Sequence, residues 1–194
     1  VARKAGTMGK EENKEMEFWT QEEFQKFLEC VADKPISYYA FEMLYWTGIR
    51  EGELLALTPA DFNFEKKTLR INKSYQRLEG KDVITDPKTP KSNRTIVMPD
   101  FLAIEMEDFI KSIYGIKMND RIFTISKSYL HHEMDRGAKL AGVKRIRIHG
   151  LRHSHISLLI NLGFSALAIG ERVGHEAVDI TYHYAHLFPT VQTD

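Results

Sequence analysis

The spacing of apolar residues predicts helices in the first part of the chain. Thr20 and Glu23 have the spacing of a capping box, and the apolar residues that follow recur at helical intervals. Pro35 is expected to end this first helix. A second helical pattern runs through Tyr38–Trp46 and stops at Gly48, which indicates two helices in succession.

The pattern then changes to alternation of apolar and polar residues. The segment TLRINKSYQRLEGKDVITD (68–86) alternates and turns at Glu79-Gly80, which predicts an antiparallel hairpin, and RTIVMP (94–99) predicts a third strand. Further helical segments are predicted at 53–57, 100–113, 127–141, 150–162, 165–173 and 177–187. The predicted fold class is therefore α+β: a mainly helical domain with a small three-stranded antiparallel sheet.

Composition fits one globular domain. The chain has 194 residues, of which 43% are hydrophobic, enough to bury a core. Residues 1–17 are polar and are expected to form a linker, with the folded domain at 18–194. No apolar run is long enough for a membrane span, no signal peptide opens the chain, and Cys30 has no second cysteine to pair with. We expect no membrane partner and a reducing, cytoplasmic location.

Charge is balanced overall but unevenly distributed. Residues 66–94 hold nine basic residues against three acids, residues 136–170 hold six basic residues and no acid, and residues 10–33 hold eight acids against three lysines. Such separation is compatible with a basic face for a polyanion, or with scattered solvated charge.

Four segments carry residues suited to phosphate chemistry: TGIREGELLAL (47–57), DPKTPKSNRTIVMP (86–99), IHGLRHSH (148–155) and VGHEAVDITYHYAHLF (173–188). In the first, Arg50 precedes Glu53 by three residues. The pair is either an ordinary helix-surface ion pair or an anion-binding arginine that the carboxylate holds in place.

His149 and Arg152 lie at the predicted start of a helix, where free N–H groups favour a phosphate. His149 is alternatively a cap or a solvated histidine. His153 and His155 are expected to pack or to support other groups. Lys88 lies in a turn after the hairpin, where a lysine is usually solvated.

Tyr182 and Tyr184 are two residues apart and therefore point to different sides of a helix. Ile180, Tyr184 and Leu187 share one face, which taken alone indicates a core tyrosine. A metal site is not predicted. An arginine lies between His149 and His153, and the histidines near the end of the chain have no supporting carboxylate or thiolate.

Together the four segments resemble the catalytic domain of the tyrosine recombinases, the phage integrase family. TGIREGEL is similar to the family's first-arginine motif, HGLRHS to its His-x-x-Arg motif, and VGH to its second-histidine motif. PKTPKSNRTIVMP resembles the version found in integrases of phages and conjugative transposons. The resemblance covers nearly all of residues 18–188, with the motifs in the family's order.

This resemblance implies a site-specific recombinase that cleaves and rejoins duplex DNA through a 3′-phosphotyrosine, with no metal, ATP or other cofactor. The implied catalytic residues are Arg50, Lys88, His149, Arg152, His175 and Tyr184. The arginines and His175 would bind the phosphate, Tyr184 would attack it, His149 would accept a proton and Lys88 would donate one. Glu53 and His153 would support them. The expected DNA contacts are Lys73, Lys91, Arg94, Lys144, Arg145 and Arg147.

The resemblance also implies an upstream core-binding domain, of which only the linker would remain here. The full-length protein is expected to form a tetramer on DNA near the bacterial nucleoid, and this chain alone to be monomeric. Integration or excision of a mobile element is the leading function. The alternatives are a recombinase that resolves chromosome dimers, a type IB topoisomerase-like enzyme, and a DNA-binding module without catalysis.

Overall fold

The structure is a computed structural model that describes residues 16–87 and 89–189. Lys88 and nearly all of the predicted linker therefore lie outside the described residues. The two described residues of that linker, Met16 and Glu17, adjoin the folded domain: Met16 is half-buried against the apolar residues that surround Tyr184.

Helices dominate the described part of the chain. The eight α-helices are α1 (Gln21–Val31), α2 (Pro35–Thr47), α3 (Glu51–Leu55), α4 (Asp100–Ser112), α5 (Lys127–Ala141), α6 (Ile148–Asn161), α7 (Ala166–Val173) and α8 (Ala177–Tyr184). The observed ends of these helices differ from the predicted ends by at most three residues. One role is corrected: Pro35 does not end α1 but begins α2, because proline fits the first turn of a helix, where its missing N–H is not needed.

The helix ends follow from local chemistry. The Thr20 side chain accepts a hydrogen bond from the Glu23 backbone N–H at 3.2 Å, and Glu23 accepts one from the Thr20 N–H at 2.9 Å, which confirms the capping box. Gly48 ends α2 in the left-handed conformation, with φ 66°, and donates to the Leu44 carbonyl. The turn at Gly48 leads the chain directly to Arg50.

Within the described residues, five short strands form two separate sheets. They are β1 (Phe62–Asn63), β2 (Thr68–Ile71), β3 (Ser74–Leu78), β4 (Lys81–Thr85) and β5 (Arg94–Val97). One antiparallel sheet has the order β1-β2-β5, with Phe62 opposite Leu69 and Leu69 opposite Ile96. The other sheet is the hairpin β3–β4.

A three-stranded antiparallel sheet is thus present as predicted, but not all of its strands are the predicted ones. The hairpin turns at Glu79-Gly80 as predicted, with φ of 49° and 77°, the combination that tight two-residue hairpin turns require. However, it forms a sheet of its own, and the third strand of the larger sheet is β1.

Apolar side chains form two clusters. The larger one joins α1–α5 and the three-stranded sheet around aromatic residues such as Trp19, Phe24 and Tyr45. The smaller one joins α6, α7 and α8 and contains Ile156, Ile180 and Tyr184. The polar residues of α6 lie where the two clusters meet, and this places Arg152 and its neighbours inside the molecule.

Candidate active site

Arg50 is held at the start of α3 by Glu53. Its backbone N–H donates to Glu53 Oε2 at 2.8 Å, and its guanidinium donates to Glu53 Oε1 at 3.0 Å. Glu53 is buried, whereas the Arg50 side chain is 35% exposed. The ion pair is thus present, and a buried carboxylate orients a partly exposed guanidinium. Anion binding by Arg50 stays a prediction.

Arg152 lies in the interior of the molecule, with 2% of its surface exposed. Its guanidinium donates to the Gly48 carbonyl at 2.7 Å and to the Val173 carbonyl, and its Nε has no hydrogen-bond partner among the described residues. Burial and the cations Arg50 and Arg94 lower its pKa to about 9, so the group remains charged at neutral pH. The unpartnered Nε is a donor available to an anion.

Tyr184 lies beside Arg152 at the end of α8. It is 3% exposed, whereas Tyr182 is 82% exposed, as the helical spacing predicted. Burial raises the pKa of Tyr184 to about 12, and the Arg152 charge opposes this increase. The tyrosine predicted as nucleophile is thus protonated in this structure.

His153, rather than His149, contacts the tyrosine. His153 Nδ1 shares a hydrogen bond with Tyr184 Oη, and the His149 ring packs edge-on against His153, with 4.9 Å between ring centroids. Burial, then the neighbouring His149 and Arg152, lower the pKa of His153 to about 4. His153 is therefore neutral at pH 7, and its Nδ1 can accept the phenolic proton in one of the two tautomers.

His149 keeps solvent access at the start of α6. Desolvation by the protein around it, and the charges of Arg152 and Arg50, lower its pKa. The lowered pKa favours the neutral form of the predicted base. In this structure, however, the tyrosine hydroxyl is bonded to His153, and His149 contacts the His153 ring.

His175 follows Gly174, which ends α7 in the left-handed conformation. Partial burial, then Arg152 and Arg50, lower the pKa of His175 to about 4. The same two arginines thus influence both His149 and His175. The structure therefore brings five of the six predicted catalytic residues together, and the sixth, Lys88, is outside the described residues.

A cleft opens at this group between the hairpin side and the α7–α8 turn. Arg50 and His175 line it, together with the chain on either side of residue 88, including Pro87 and Lys91. Lys91 forms an ion pair with Glu176 across the cleft. The basic lining residues Arg50, Lys73 and Lys91 thus lie on one wall, and the α7–α8 turn contributes His175 and the acidic Glu176 and Asp179.

The predicted DNA-contact residues have different environments. Lys144, Arg145 and Arg147 are exposed before α6, with Arg145 paired to Asp135. Lys91 is exposed, and Lys73 is half-buried and pairs with the buried Asp61. These five remain predicted contacts.

Arg94 is different, and its position contradicts the predicted DNA contact. Only 5% of its side chain is exposed, and its guanidinium binds both oxygens of Glu53 at 3.0 Å. A side chain with its donors occupied in the interior cannot reach a DNA backbone without breaking these bonds.

Arg172 is a structural residue that the sequence reasoning missed. On α7, it donates to His155 Nε2 at 2.9 Å, to the Val97 carbonyl at 2.8 Å and to the Trp46 carbonyl at 3.1 Å. His155 is buried, which confirms its predicted packing role. The only sequence signal for Arg172 is a basic residue in the last turn of a helix, where solvated arginines are also common.

Within residues 16–87 and 89–189, no group of three or more His, Cys, Asp or Glu residues is arranged to hold a metal ion. Over the same residues, no helix has the length and apolar character of a membrane span.

The chain is similar in sequence to proteins named as integrases and tyrosine recombinases. The chain is 30% identical over 196 residues to the ICEBs1 integrase of Bacillus subtilis, covering 93% of this chain and 53% of that protein. It is 28% identical over 217 residues to a XerC-like tyrosine recombinase of Caldanaerobacter subterraneus, covering 97% and 55%. The chain thus spans about half the length of these relatives.

Solved structures of integrases have a similar fold. The Tn1549 transposon integrase, solved in complex with a circular intermediate DNA, aligns with a TM-score of 0.78 and 20% identity over 96% of this chain and 65% of that one. The catalytic domain of bacteriophage HP1 integrase aligns with a TM-score of 0.64 and 20% identity over 91% of both chains. These two likenesses concern the fold.

The family model described as "Phage integrase family" matches residues 17–190, which include all four motif segments. The chain belongs to the phage integrase family.

Proposed function

We propose that the protein containing this chain is a site-specific DNA recombinase that cleaves and rejoins duplex DNA through a tyrosine. The observation that carries the proposal is the contact between a buried tyrosine hydroxyl and His153, beside the buried charge of Arg152. A buried arginine with an unpartnered donor is costly for stability unless an anion uses it. A DNA phosphate is the anion that family membership supports.

The proposed reaction begins when Tyr184 Oη attacks the phosphorus. The new O–P bond forms while the bond from phosphorus to the 5′ oxygen of the next nucleotide breaks. The phenolic proton passes to an imidazole, and the leaving 5′ oxygen takes a proton from a general acid. The products are a 3′-phosphotyrosine and a free 5′ hydroxyl, and the reverse steps reseal the strand without ATP.

Arg50 and Arg152 are the proposed phosphate ligands. Guanidinium groups present planar donors that match the non-bridging oxygens, whose negative charge grows in the transition state. Arg50 is partly exposed and already oriented, while Arg152 is fixed by two carbonyls with its Nε free. His175 would donate a further hydrogen bond to the same phosphate.

We assign the proton-accepting role to His149, because it is exposed to solvent at the start of α6, and desolvation, Arg152 and Arg50 lower its pKa, which favours the neutral form that accepts a proton. His153 is proposed to hold Tyr184 before DNA arrives. The hydroxyl must leave this contact to reach a phosphate, since Tyr184 is almost fully buried. Lys88 remains the proposed acid on the strength of its position in the sequence.

Integration or excision of a mobile element is the specific activity we propose. The similarity to the ICEBs1 integrase supports it, as does the similarity to the Tn1549 integrase fold. The likeness to a XerC-like recombinase supports resolution of chromosome dimers as a second candidate. A tetramer on duplex DNA and an upstream core-binding domain belong to the same proposal.

The test uses the full-length protein, nicked suicide duplexes tiled across the DNA that flanks its gene, and further duplexes that carry the chromosomal dimer-resolution site, with EDTA present. We expect a covalent protein–DNA adduct at one or more positions. Adducts only on element ends would support integration, and adducts on a chromosomal dimer-resolution site would support the second candidate. A folded protein that binds these duplexes but forms no adduct on any of them would favour a module without catalysis.

A further inference from the structure

Arg94 opens β5 and lies at the centre of the site's framework rather than on its surface. Its guanidinium donates to Glu53 Oε1 and Oε2, each at 3.0 Å, to the Ser92 carbonyl at 2.9 Å and to the Arg172 carbonyl at 2.8 Å. One side chain thus contacts three segments that are distant in sequence.

Each of these segments carries a group of the proposed reaction. Glu53 holds Arg50 through its backbone and its side chain. Ser92 belongs to the segment that follows residue 88. Arg172 directly precedes Val173, whose carbonyl binds Arg152, and lies three residues before His175. Displacing Arg94 would therefore disturb several of the reacting groups together.

Arg94 also determines how much of the Arg50 charge remains available. Glu53 carries one negative charge, which two guanidinium groups share. Burial opposes ionisation of Glu53, but the hydrogen bonds and charge of Arg94, together with Arg50, keep its pKa below the usual value. If Arg94 were neutral, Arg50 alone would balance the carboxylate, and its attraction for a phosphate would weaken.

We propose that Arg94 is a positioning residue for the cleavage step: it orients Arg50 through Glu53, shields Arg50 from the full charge of that carboxylate, and ties the segment after residue 88 to the end of α7. It does not contact DNA. The inference rests on the proposed recombinase activity.

Arg136 offers a matched control outside the site. It pairs with the buried Glu133, with Nε–Oε1 at 3.1 Å and NH2–Oε2 at 2.7 Å, and it also binds Asp33. These two partners lie on α5 and in the turn after α1, and neither belongs to the proposed active site. Arg136→Lys therefore shows what a purely structural arginine–glutamate pair contributes.

The experiment compares Arg94→Lys, Arg94→Met and Arg136→Lys in the full-length protein. Single-turnover cleavage of the suicide duplex, DNA affinity and the unfolding midpoint are measured for each variant. We expect Arg94→Lys to bind DNA almost as wild type but to cleave about 10- to 100-fold more slowly, the scale of a misplaced reactive group. Arg136→Lys should lose stability without a loss of cleavage rate.

A double variant tests the charge argument. Glu53→Gln in the Arg94→Met background removes the unbalanced carboxylate, so the double variant should cleave faster than Arg94→Met alone. A double variant no faster than the single one would contradict the shielding role.

Three results would overturn the inference as a whole. The first is that Arg94→Lys cleaves at the wild-type rate. The second is that weaker DNA binding accounts for the whole loss of cleavage rate in Arg94→Lys. The third is that both Arg94 variants fail to fold, which would make Arg94 structural only. If the wild-type protein forms no adduct, the proposed function fails and the inference fails with it. A wild-type protein that cleaves while Arg94→Lys is unaffected removes the inference alone.

Discussion

At the residue scale, Tyr184, the proposed nucleophile, is held in a buried contact with a histidine. The hydroxyl is buried and protonated, and neutral His153 shares its hydrogen bond. Arg152 nearby is the charge that favours the tyrosinate. Because the hydroxyl is buried, it must move to reach a DNA phosphate bound at Arg152. Because it is protonated, its proton must also be transferred.

The histidines predict how stability depends on pH. The pKa values of His153 and His175 are about 4, and an unfolded histidine has a pKa of about 6.5. Between these values the unfolded chain binds more protons, so stability is complete above about pH 6.5 and declines as the pH falls toward 4. We expect each ring to account for roughly 1 kcal/mol of loss at about pH 5, allowing for partial solvent screening.

Urea unfolding at about pH 7.5 and about pH 5 measures this loss. His153→Asn should reduce the difference between the two conditions by roughly 1 kcal/mol. His186→Asn is the control, because His186 is exposed and should leave the difference unchanged. An equal acid loss in His153→Asn and wild type would contradict the burial argument.

Gly48 affects both the stability of the domain and the position of Arg152. A Cβ there would lie 2.5 Å from Cδ2 of His155, and the φ of 66° disfavours any side chain. Gly48→Ala should cost roughly 2–4 kcal/mol of unfolding free energy. It should also lower cleavage, because the Gly48 carbonyl holds Arg152.

Gly142→Ala is the matched control for Gly48→Ala in denaturant unfolding. Gly142 has a φ of 67° but nothing within 4 Å of an added Cβ. Gly142→Ala should lower the unfolding free energy by only about 1 kcal/mol, from backbone strain alone. Similar losses at the two glycines would show that the contact with His155 contributes nothing.

At the residue scale, the sequence predicted which side chains meet but not every contact among them. Helical spacing distinguished Tyr184 from Tyr182 correctly. His149 and His153 are four residues apart on one helix face, so spacing cannot tell which ring reaches the tyrosine. Arg94 was misassigned because its bonds to Glu53 and Arg172 join segments that only the tertiary fold brings together.

At the scale of elements, Arg121 is one link between the hairpin β3–β4 and the rest of the domain, beside the packing of β3 on α3 and the buried Tyr75. The Arg121 guanidinium lies 4.0 Å from the centre of the Tyr75 ring, and it donates to the Leu55 and Phe123 carbonyls at 2.8 and 3.0 Å. The chain that follows β4 leads to residue 88. Arg121 is thus in a position to determine the orientation of the hairpin.

Arg121→Gln should loosen the hairpin. Loss of the cation–π contact and of one or more hydrogen bonds should make hairpin amides exchange hydrogen about 10-fold faster. Hydrogen exchange resolved by residue measures this. Arg77→Gln is the control, because Arg77 is exposed and pairs with Asp82 of the same hairpin. Unchanged exchange in Arg121→Gln would remove Arg121 as the anchor.

The elements themselves were largely predictable, because caps, glycines and apolar spacing are local. Thr20, Gly48 and Ser165 mark helix ends that the structure reproduces. The pairing of β2 with β1 was not predictable. Strand β1 has two residues, too few for an alternating pattern, and pairing between strands depends on the tertiary fold.

At the scale of the whole molecule, the separated charges predict how the proposed binding to DNA depends on salt. Lys144 and Arg147 are exposed next to the start of α6, whereas Lys26 lies on α1 and pairs with Glu22. Each phosphate contact releases counterions, so Lys144→Ala and Arg147→Ala should each reduce the slope of log affinity against log salt by about 1.

Fluorescence anisotropy with labelled duplex at several salt concentrations measures the slope. Lys26→Ala should leave it at the wild-type value, because the acidic N-terminal part of the domain is not expected to face DNA. An equal change in the three variants would show that total charge, rather than a defined basic face, determines the binding.

The most direct test of the account is to identify the residue bound to DNA. The adduct formed on a suicide duplex is digested with a protease and a nuclease, and the nucleotide-bearing peptide is sequenced by mass spectrometry. We predict that the modification is on Tyr184, that Tyr182→Phe still forms the adduct, and that Tyr184→Phe forms none. A modification on any other residue, or an adduct formed by Tyr184→Phe, would contradict the central claim.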